Sequence, residues 1–332
     1  MRINSINNLL NIVALNKFLN IKLLNILLVS LLLSSASLAP LLVSNYYLSF
    51  GLQICMMLAL AQSWNLISGM TGYISFGHAA FFGFGTYTAA ILVSTGWHWT
   101  FTIIAGAIVA GLLAIPLGLL TLRLRGPYFA IAMLGLNEVA KIFATLWISL
   151  TNGGSGISLN PTLLPNLTLA YYCMLLLAIV SCIANGLIYH SHFGLELRAI
   201  REDEEAAEMI GVHTTLNKFL AFIYSTIIPG AVGAVFTLYT SYINPDSAFA
   251  AALNIQIIVI VMLGGSGTVW GPVLGTILLM AFREMLWANF PALHMAVLGV
   301  LLLIIVLFIP KGIIAWFMPN HTIRPDVAAT NS

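Results

Sequence analysis

TFTIIAGAIVAGLLAIPLGLLTL, residues Thr100–Leu122, runs for 23 residues without one charged side chain. A helix of that length rises about 34 Å, enough to cross the roughly 30 Å hydrocarbon core of a bilayer. The run closes a longer tract, Leu23–Leu122, that contains no Asp, Glu, Lys or Arg, and Ile142–Leu195 contains none either. Charged residues make up 7% of the 332-residue chain and hydrophobic residues 60%, whereas soluble domains carry about 25% charge. A soluble core of this size cannot hide so much apolar surface, so the chain reads as an all-α, polytopic membrane protein. The formal net charge of +2 argues against nucleic-acid binding. Cys55, Cys173 and Cys182 lie in apolar runs without metal-ligand spacing. They read as inert thiols, with no metal site and no disulfide framework.

Hydropathy predicts ten helices, at 23–43, 46–68, 73–94, 100–122, 127–150, 168–188, 218–240, 248–264, 268–288 and 292–310. Orientation follows from the basic residues. With the amino terminus inside, Arg2, Lys17, Lys22, Arg123, Arg125, Arg198, Arg201, Lys218, Lys311 and Arg324 are cytoplasmic. Only Arg283 then falls at the outer side, and Lys141 within a span. The boundaries are a cytoplasmic leader at 1–22, a membrane domain at 23–310 with one long cytoplasmic loop at 189–217, and a cytoplasmic tail at 311–332. The first apolar run also resembles a secretory signal with small residues at Ser34–Ala39, but the long Asn-rich leader favours an uncleaved span. The seven Trp residues all lie near expected helix ends, where indole prefers the interface.

Six of the ten acidic residues (Glu196, Glu202, Asp203, Glu204, Glu205 and Glu208) fall within Gly194–Gly211, GLELRAIREDEEAAEMIG. The spacing predicts a helix over Ile200–Ile210 with Ala206, Ala207, Met209 and Ile210 as an apolar strip and the acids on the other face. Gly211 suits the position just past its carboxyl end. A short helix of this kind needs something to pack against, so the loop reads as a docking surface on which Glu202 and Glu204 are solvated.

The core Glu205-Ala206-Ala207-x-x-x-Gly211 resembles the EAA loop of ABC-importer permeases, and RAIREDEEAAEMIGV resembles the corresponding loop of branched-chain amino-acid permeases. Asn65–Leu92 (NLISGMTGYISFGHAAFFGFGTYTAAIL), Arg123–Val139 (RLRGPYFAIAMLGLNEV) and Val261–Thr276 (VMLGGSGTVWGPVLGT) resemble that family in the same order and spacing. The resemblance covers about residues 45–315. The chain departs from the EAA pattern after Gly211, where the hydrophobic-x-Leu-Pro ending is missing.

The resemblance implies a transport subunit, not an enzyme, in the prokaryotic cytoplasmic (inner) membrane. It implies a second related permease as partner, two cytoplasmic ATPases, and a soluble binding protein outside. ATP would be used by the partners, because no G-x-x-x-x-G-K-[ST] loop occurs here and the chain itself binds no cofactor. ATPase docking would fall to Arg198, Glu205, Ala206, Ala207 and Gly211. The cargo would be a branched-chain or related hydrophobic amino acid. A urea or short-amide permease of the same family is the near alternative. A secondary transporter with a Glu138–Lys141–His78 proton relay is the distant one.

Candidates for the pathway are the polar residues inside apolar runs. Gly72–Gly85, GYISFGHAAFFGFG, holds four glycines and contributes Ser75, Phe76 and His78. Its glycines suit tight helix packing, or an unwound segment beside a cavity. Asn137, Glu138 and Lys141 follow in the fifth expected helix. Glu138 and Lys141, three apart on one face, are expected to neutralise each other. Asn254 and Gln256 suit hydrogen bonds across helices. Gly264–Gly267 followed by Trp270-Gly271-Pro272 marks a turn and a helix start.

Overall fold

The structure, a computed structural model, describes residues 43–289 and the isolated positions 37, 40, 299 and 312–314. The chain divides into two compact units, Met1–Ser49 and Phe50–Ser332. The described part of the first is little more than the opening of one helix, and the second holds the helix bundle. The expected helices at 23–43 and 292–310, the leader and the tail lie outside the described residues, those isolated positions aside.

The eight remaining expected helices are all helical. They are α1 (Asn45–Trp64), α2 (His78–Ser94), α3 (Trp99–Thr121), α4 (Pro127–Leu146), α6 (Leu167–Tyr189), α9 (Thr214–Thr240), α11 (Ala251–Gly264) and α12 (Gly271–Asn289). Among the described residues six helical stretches are long and apolar enough to cross a membrane: Asn45–Gly69, Trp99–Thr121, Pro127–Leu146, Leu167–Tyr189, Thr214–Thr240 and Pro245–Gly264. Ten crossings are therefore not established. Between α4 and α6 lie the short α5 (Ile148–Thr151) and strand β1 (Ile157–Ser158). β1 pairs antiparallel with β2 (Tyr242–Ile243), Ile157 opposite Ile243, so the described residues, otherwise helical in their regular structure, carry one two-residue ladder.

At the centre α9 crosses α2 and α3 at backbone distance. A Cβ on Gly85 would run into the backbone of Gly230, and one on Gly230 would meet Ala110 and the carbonyl of Gly106. Glycine is what lets three helices meet with no side chain between them. Pro229 stands beside this crossing, inside α9.

The third expected helix starts late. Residues 72–77 are not helical, and α1 ends in a five-residue π-turn, Asn65–Gly69. Gly72 has φ +78°, which breaks the helix, and polar side chains take up the freed backbone groups. Ser68 Oγ accepts from Ser75 N at 3.1 Å, Trp64 Nε1 donates to Ser75 O at 2.7 Å, and Asn254 Nδ2 donates to Phe76 O at 2.6 Å. Trp64 is 3% exposed, so this indole serves the break rather than the membrane interface.

Candidate functional site

The acidic loop folds as two helices, α7 (His192–Glu202) and α8 (Glu204–Met209), where one over 200–210 was expected. The break falls at Asp203, which is extended and whose carboxylate accepts from the backbone N–H groups of Glu205 and Ala206 at 2.9 and 3.0 Å. An Asp placed to cap competes with helix continuation at its own position. Helix α8 closes at Gly211, φ +93°, with Gly211 N donating to Glu208 O and Val212 N to Ala207 O. That pair of bonds is the Schellman arrangement, and glycine supplies its left-handed residue without strain.

The apolar strip expected on α8 does not exist as one face. Ala207 is buried at 2%, packed with Leu197, Ile200, Met70, Tyr73 and Phe222 in the chain's own core. Ala206 is exposed, and Met209 and Ile210 are 88% and 79% exposed. Six residues make fewer than two turns, so Ala207 faces inward while the residues at its carboxyl end are thrown outward.

Glu204 is likewise not solvated. Its side chain is 15% exposed; Lys218 Nζ of α9 lies 2.5 Å from Oε1, and Tyr73 Oη donates to Oε2 at 2.5 Å. Lys218, 3% exposed, also donates to Tyr73 Oη at 3.0 Å. Arg125 Nη2 lies 3.9 Å from Glu204 and Arg125 Nη1 3.2 Å from Glu205. Burial by itself would raise the Glu204 carboxyl. The hydrogen bonds from Lys218 and Tyr73 and the charges of Lys218 and Arg125 outweigh it and hold the group below the ordinary carboxylate range. Burial, then the hydrogen bond to Glu204, pushes the Tyr73 hydroxyl up.

A second tie runs from α7. Arg201 Nη1 donates to Gly69 O, the last residue of the π-turn, at 2.6 Å. The same π-turn meets the Gly264–Gly267 stretch: Gly267 N donates to Asn65 Oδ1 and Asn65 Nδ2 to Thr268 O, each at 2.8 Å. Asn217 Nδ2 of α9 donates to Glu196 Oε2 at 2.7 Å. Arg198 stacks its guanidinium over Tyr189 at 4.3 Å, within this chain.

The other expected residues fall into two groups. Ser75, Phe76, His78 and Asn254 come together at the break before α2: His78 Nδ1 lies 3.3 Å from Ser75 Oγ, and Asn254 Oδ1 accepts from Ala79 N at 2.9 Å. Asn137 Nδ2 donates to Phe249 O at 3.0 Å. Glu138 and Lys141 do not pair. Lys141 Nζ lies 2.7 Å from Asp246 Oδ1, and Glu138 is exposed. Asp246 sits in α10 (Pro245–Ala248), which folds back over the far part of α4, an approach invisible to local spacing. Among the described residues no hydrogen bond links His78 to Glu138 or Lys141. Gln256 Oε1 lies 3.5 Å from Arg283 Nη1.

Tyr73, Lys218, Arg201 and Asn65 had not stood out as site residues. A signal was available for one of them: Lys218 is the lone cation in the otherwise uncharged run Met209–Pro245, ten residues after the last acid of the cluster, Glu208.

Comparison with known proteins agrees with this architecture. The family described as "branched-chain amino acid transport system / permease component" matches residues 46–306. The high-affinity branched-chain amino acid transport system permease protein LivM of Salmonella typhimurium is 28% identical over 321 residues, covering 87% of this chain and 75% of the relative. LivH, the similarly named permease protein of Escherichia coli, is 23% identical over 296 residues, covering 81% of this chain and 91% of the relative. The probable branched-chain amino acid transport permease protein LivM of Methanocaldococcus jannaschii is 23% identical over 256 residues, covering 70% and 69%. No solved structure matches the chain. With a match over most of its length and several membrane-length helices, the chain belongs to the branched-chain amino acid transport permease family.

Proposed function

We propose that this chain is the transmembrane subunit of an ATP-driven importer for branched-chain or related hydrophobic amino acids in a prokaryotic cytoplasmic membrane. It pairs with a second related permease, receives cargo from an external binding protein, and is driven by two cytoplasmic ATPases that use the ATP. The observation that carries the reading is the division of labour on α8. Its inner side, Glu204 and Ala207, is fastened to Lys218, Tyr73 and the core. Its outer side presents the exposed acids Glu205 and Glu208, with Met209 and the flanking Ile210 exposed at its carboxyl end.

Such an element suits the transmission of force. An ATPase that grips the apolar tip moves α8, and the Glu204–Lys218 contact passes that movement into α9. Arg201 passes it to the π-turn that ends α1. The docking set expected from sequence shifts accordingly. Glu205, Met209 and Ile210 face the partner, whereas Ala207 and Arg198 support the loop from within, and Gly211 shapes its end.

The test is co-purification and uptake. Met209→Asp with Ile210→Asp should release the ATPases and stop ATP-dependent leucine uptake while the permease still accumulates. Retained ATPases and normal uptake in that variant would remove the docking reading. Orientation is tested in intact cells: a Cys at Asp246, 80% exposed, should react with an impermeant thiol reagent, and a Cys at Glu205, 75% exposed, should not.

A further inference from the structure

The stretch Pro245–Gly264 is long and apolar enough to cross a membrane, yet it is not one helix. It is interrupted at Phe249 and Ala250, between α10 and α11. The 14 residues of α11 rise about 21 Å, short of the roughly 30 Å hydrocarbon core, so α11 alone does not span it. Asn137 marks the depth of the break. Its Nδ2 donates to Phe249 O at 3.0 Å, and it stands about 15 Å beyond Pro127 along α4. A helix interrupted at membrane depth is tolerated where it is buried in protein or lines a water-filled route.

Phe249 fills a socket on α2. Its ring is buried, stacked on Tyr87 at 5.9 Å and edge-on to Phe84 at 5.9 Å. A Cβ on Gly83 would run into that ring, so the phenyl group occupies the space the glycine leaves. Two buried polar atoms beside it, Asn137 Oδ1 and Tyr87 Oη, have no hydrogen-bond partner among the described residues. Tyr242 and Asp246 stand near enough for their charges to act on the Tyr87 hydroxyl, but neither bonds to it. Buried polar atoms are ordinarily satisfied. Two orphans around one ring are accounted for by a second arrangement, in which the ring leaves and water reaches them. The remaining attachments suit such a movement. The Lys141–Asp246 pair is too open to hold α10 down. Asn254, in the first turn of α11, donates to Phe76 O at 2.6 Å and accepts from Ala79 N at 2.9 Å, which ties α11 to the interrupted segment 72–77. Arg201 of the acidic loop holds Gly69, just before that segment.

We propose that α10 and Phe249 form a stopper in the transport route, seated against Gly83 and Tyr87 at rest and lifted in each cycle to let the cargo pass. This rests on the reading of the chain as an ATP-driven permease. A neutral ring held by ring contacts and one carbonyl hydrogen bond seals the route with no ion pair to break. The contacts of Arg201 and Asn254 join the stopper to the loop that the ATPases would move.

The experiment uses the full importer, with its ATPases, paired permease and binding protein, in proteoliposomes supplied with leucine. Cys55, Cys173 and Cys182 are replaced by Ser, and a small impermeant thiol reagent is present on both faces. Ala140→Cys is the reporter, because Ala140 is buried in the same cluster as Phe249. Its labelling should be slow without ATP and about tenfold faster during turnover, as the lifted state becomes populated. Ala221→Cys, buried in the separate cluster around Phe222, should stay slow throughout. In Phe249→Ala, labelling of Ala140→Cys should be fast with or without ATP.

Labelling that stays slow at Ala140→Cys while leucine uptake proceeds overturns the proposal, since the ring then keeps its seat through transport. An equal rise at Ala221→Cys overturns it too, because the bundle then loosens as a whole. The turnover comparison leaves Phe249 intact, so it decides the matter should Phe249→Ala fail to accumulate. Ala144→Cys, in the same cluster, takes over as reporter should Ala140→Cys itself stop uptake. A wild-type importer that hydrolyses ATP but takes up no leucine would instead refute the amino-acid reading, whatever the reporter does.

Discussion

Lys218 Nζ lies 2.5 Å from Glu204 Oε1, one group at the start of a membrane-length helix and the other on a loop helix of six residues. The lysine is 3% exposed, and the contact is shared with the Tyr73 hydroxyl. Loop and bundle are therefore joined by a charge pair shielded from water, where screening is weak.

Removing the carboxylate should loosen that joint. Glu204→Gln leaves a buried ammonium with neutral partners only, the new amide and the Tyr73 hydroxyl, and breaking a buried charge pair by neutralising one member costs about 3 kcal/mol. The expected result is faster hydrogen exchange at Glu205–Val212 with little change in the amides of α3. Adding Lys218→Met to Glu204→Gln should restore much of the protection, since a paired replacement strands no charge. Unchanged exchange in the single variant would show that the pair contributes nothing to the loop.

The same joint has a pH dependence with a definite sign. The Glu204 carboxyl is held below its ordinary value of 4.5 in the folded chain. Its contribution is thus complete above that value and is lost as pH falls through the lower, folded-state value. Exchange protection of α8 should be flat from pH 8 to about 5 and fall only in more acidic solution. In Glu204→Gln this acid-side step should vanish.

Ala207 gives a test that separates support from docking. Its methyl is packed against the chain's own core, so Ala207→Trp overfills that core, at about 1–3 kcal/mol or more. The permease itself should lose thermal stability, measurable in detergent with no ATPase present. Gly211→Val should cost about 1 kcal/mol through its backbone alone, because φ is +93° and no neighbouring atom stands within 4 Å of a Cβ there. A stable Ala207→Trp permease that simply fails to bind ATPase would return Ala207 to the outer face.

The Lys141–Asp246 pair should matter little. Asp246 is 80% exposed and Lys141 33%, and pairs this open are worth about 0–1 kcal/mol. Asp246→Asn and Glu138→Gln should transport within about twofold of the wild type. A collapse of uptake in Lys141→Met, with assembly intact and uptake sensitive to the proton gradient, would revive the ion-coupled alternative.

How much of the molecule was legible in its sequence depends on how membranes sort residues. Long apolar runs with few or no charges located the expected helices among the described residues, because length and hydropathy suffice where lipid is the solvent. The acid cluster located the loop, and Gly211 its end. The interior was harder to read. When every face of a helix is apolar, periodicity no longer says which side packs inward, so the fate of Ala207 against Met209 was not visible. Pairings such as Lys141 with Asp246 or Glu204 with Tyr73 join residues over a hundred positions apart, while spacing informs only neighbours a turn away. The break at 72–77 looked like helix because its polar partners, Trp64, Ser68 and Asn254, lie outside the run they complete.

The crossing of Gly230 with Gly85 and Gly106 fixes how α9 is able to move. Backbone already rests on backbone there, so no compressible side chain lets the helices slide closer. Pro229 alongside removes one backbone donor, which makes this the point where the helix bends most cheaply. Tilting of α9 therefore turns about a fulcrum set inside the bundle, not at either end. Lys218 is about 18 Å along the axis on one side and Thr240 about 15 Å on the other. A load on the Lys218 arm is therefore taken up first as bending at this point, and only the remainder reaches the Thr240 arm.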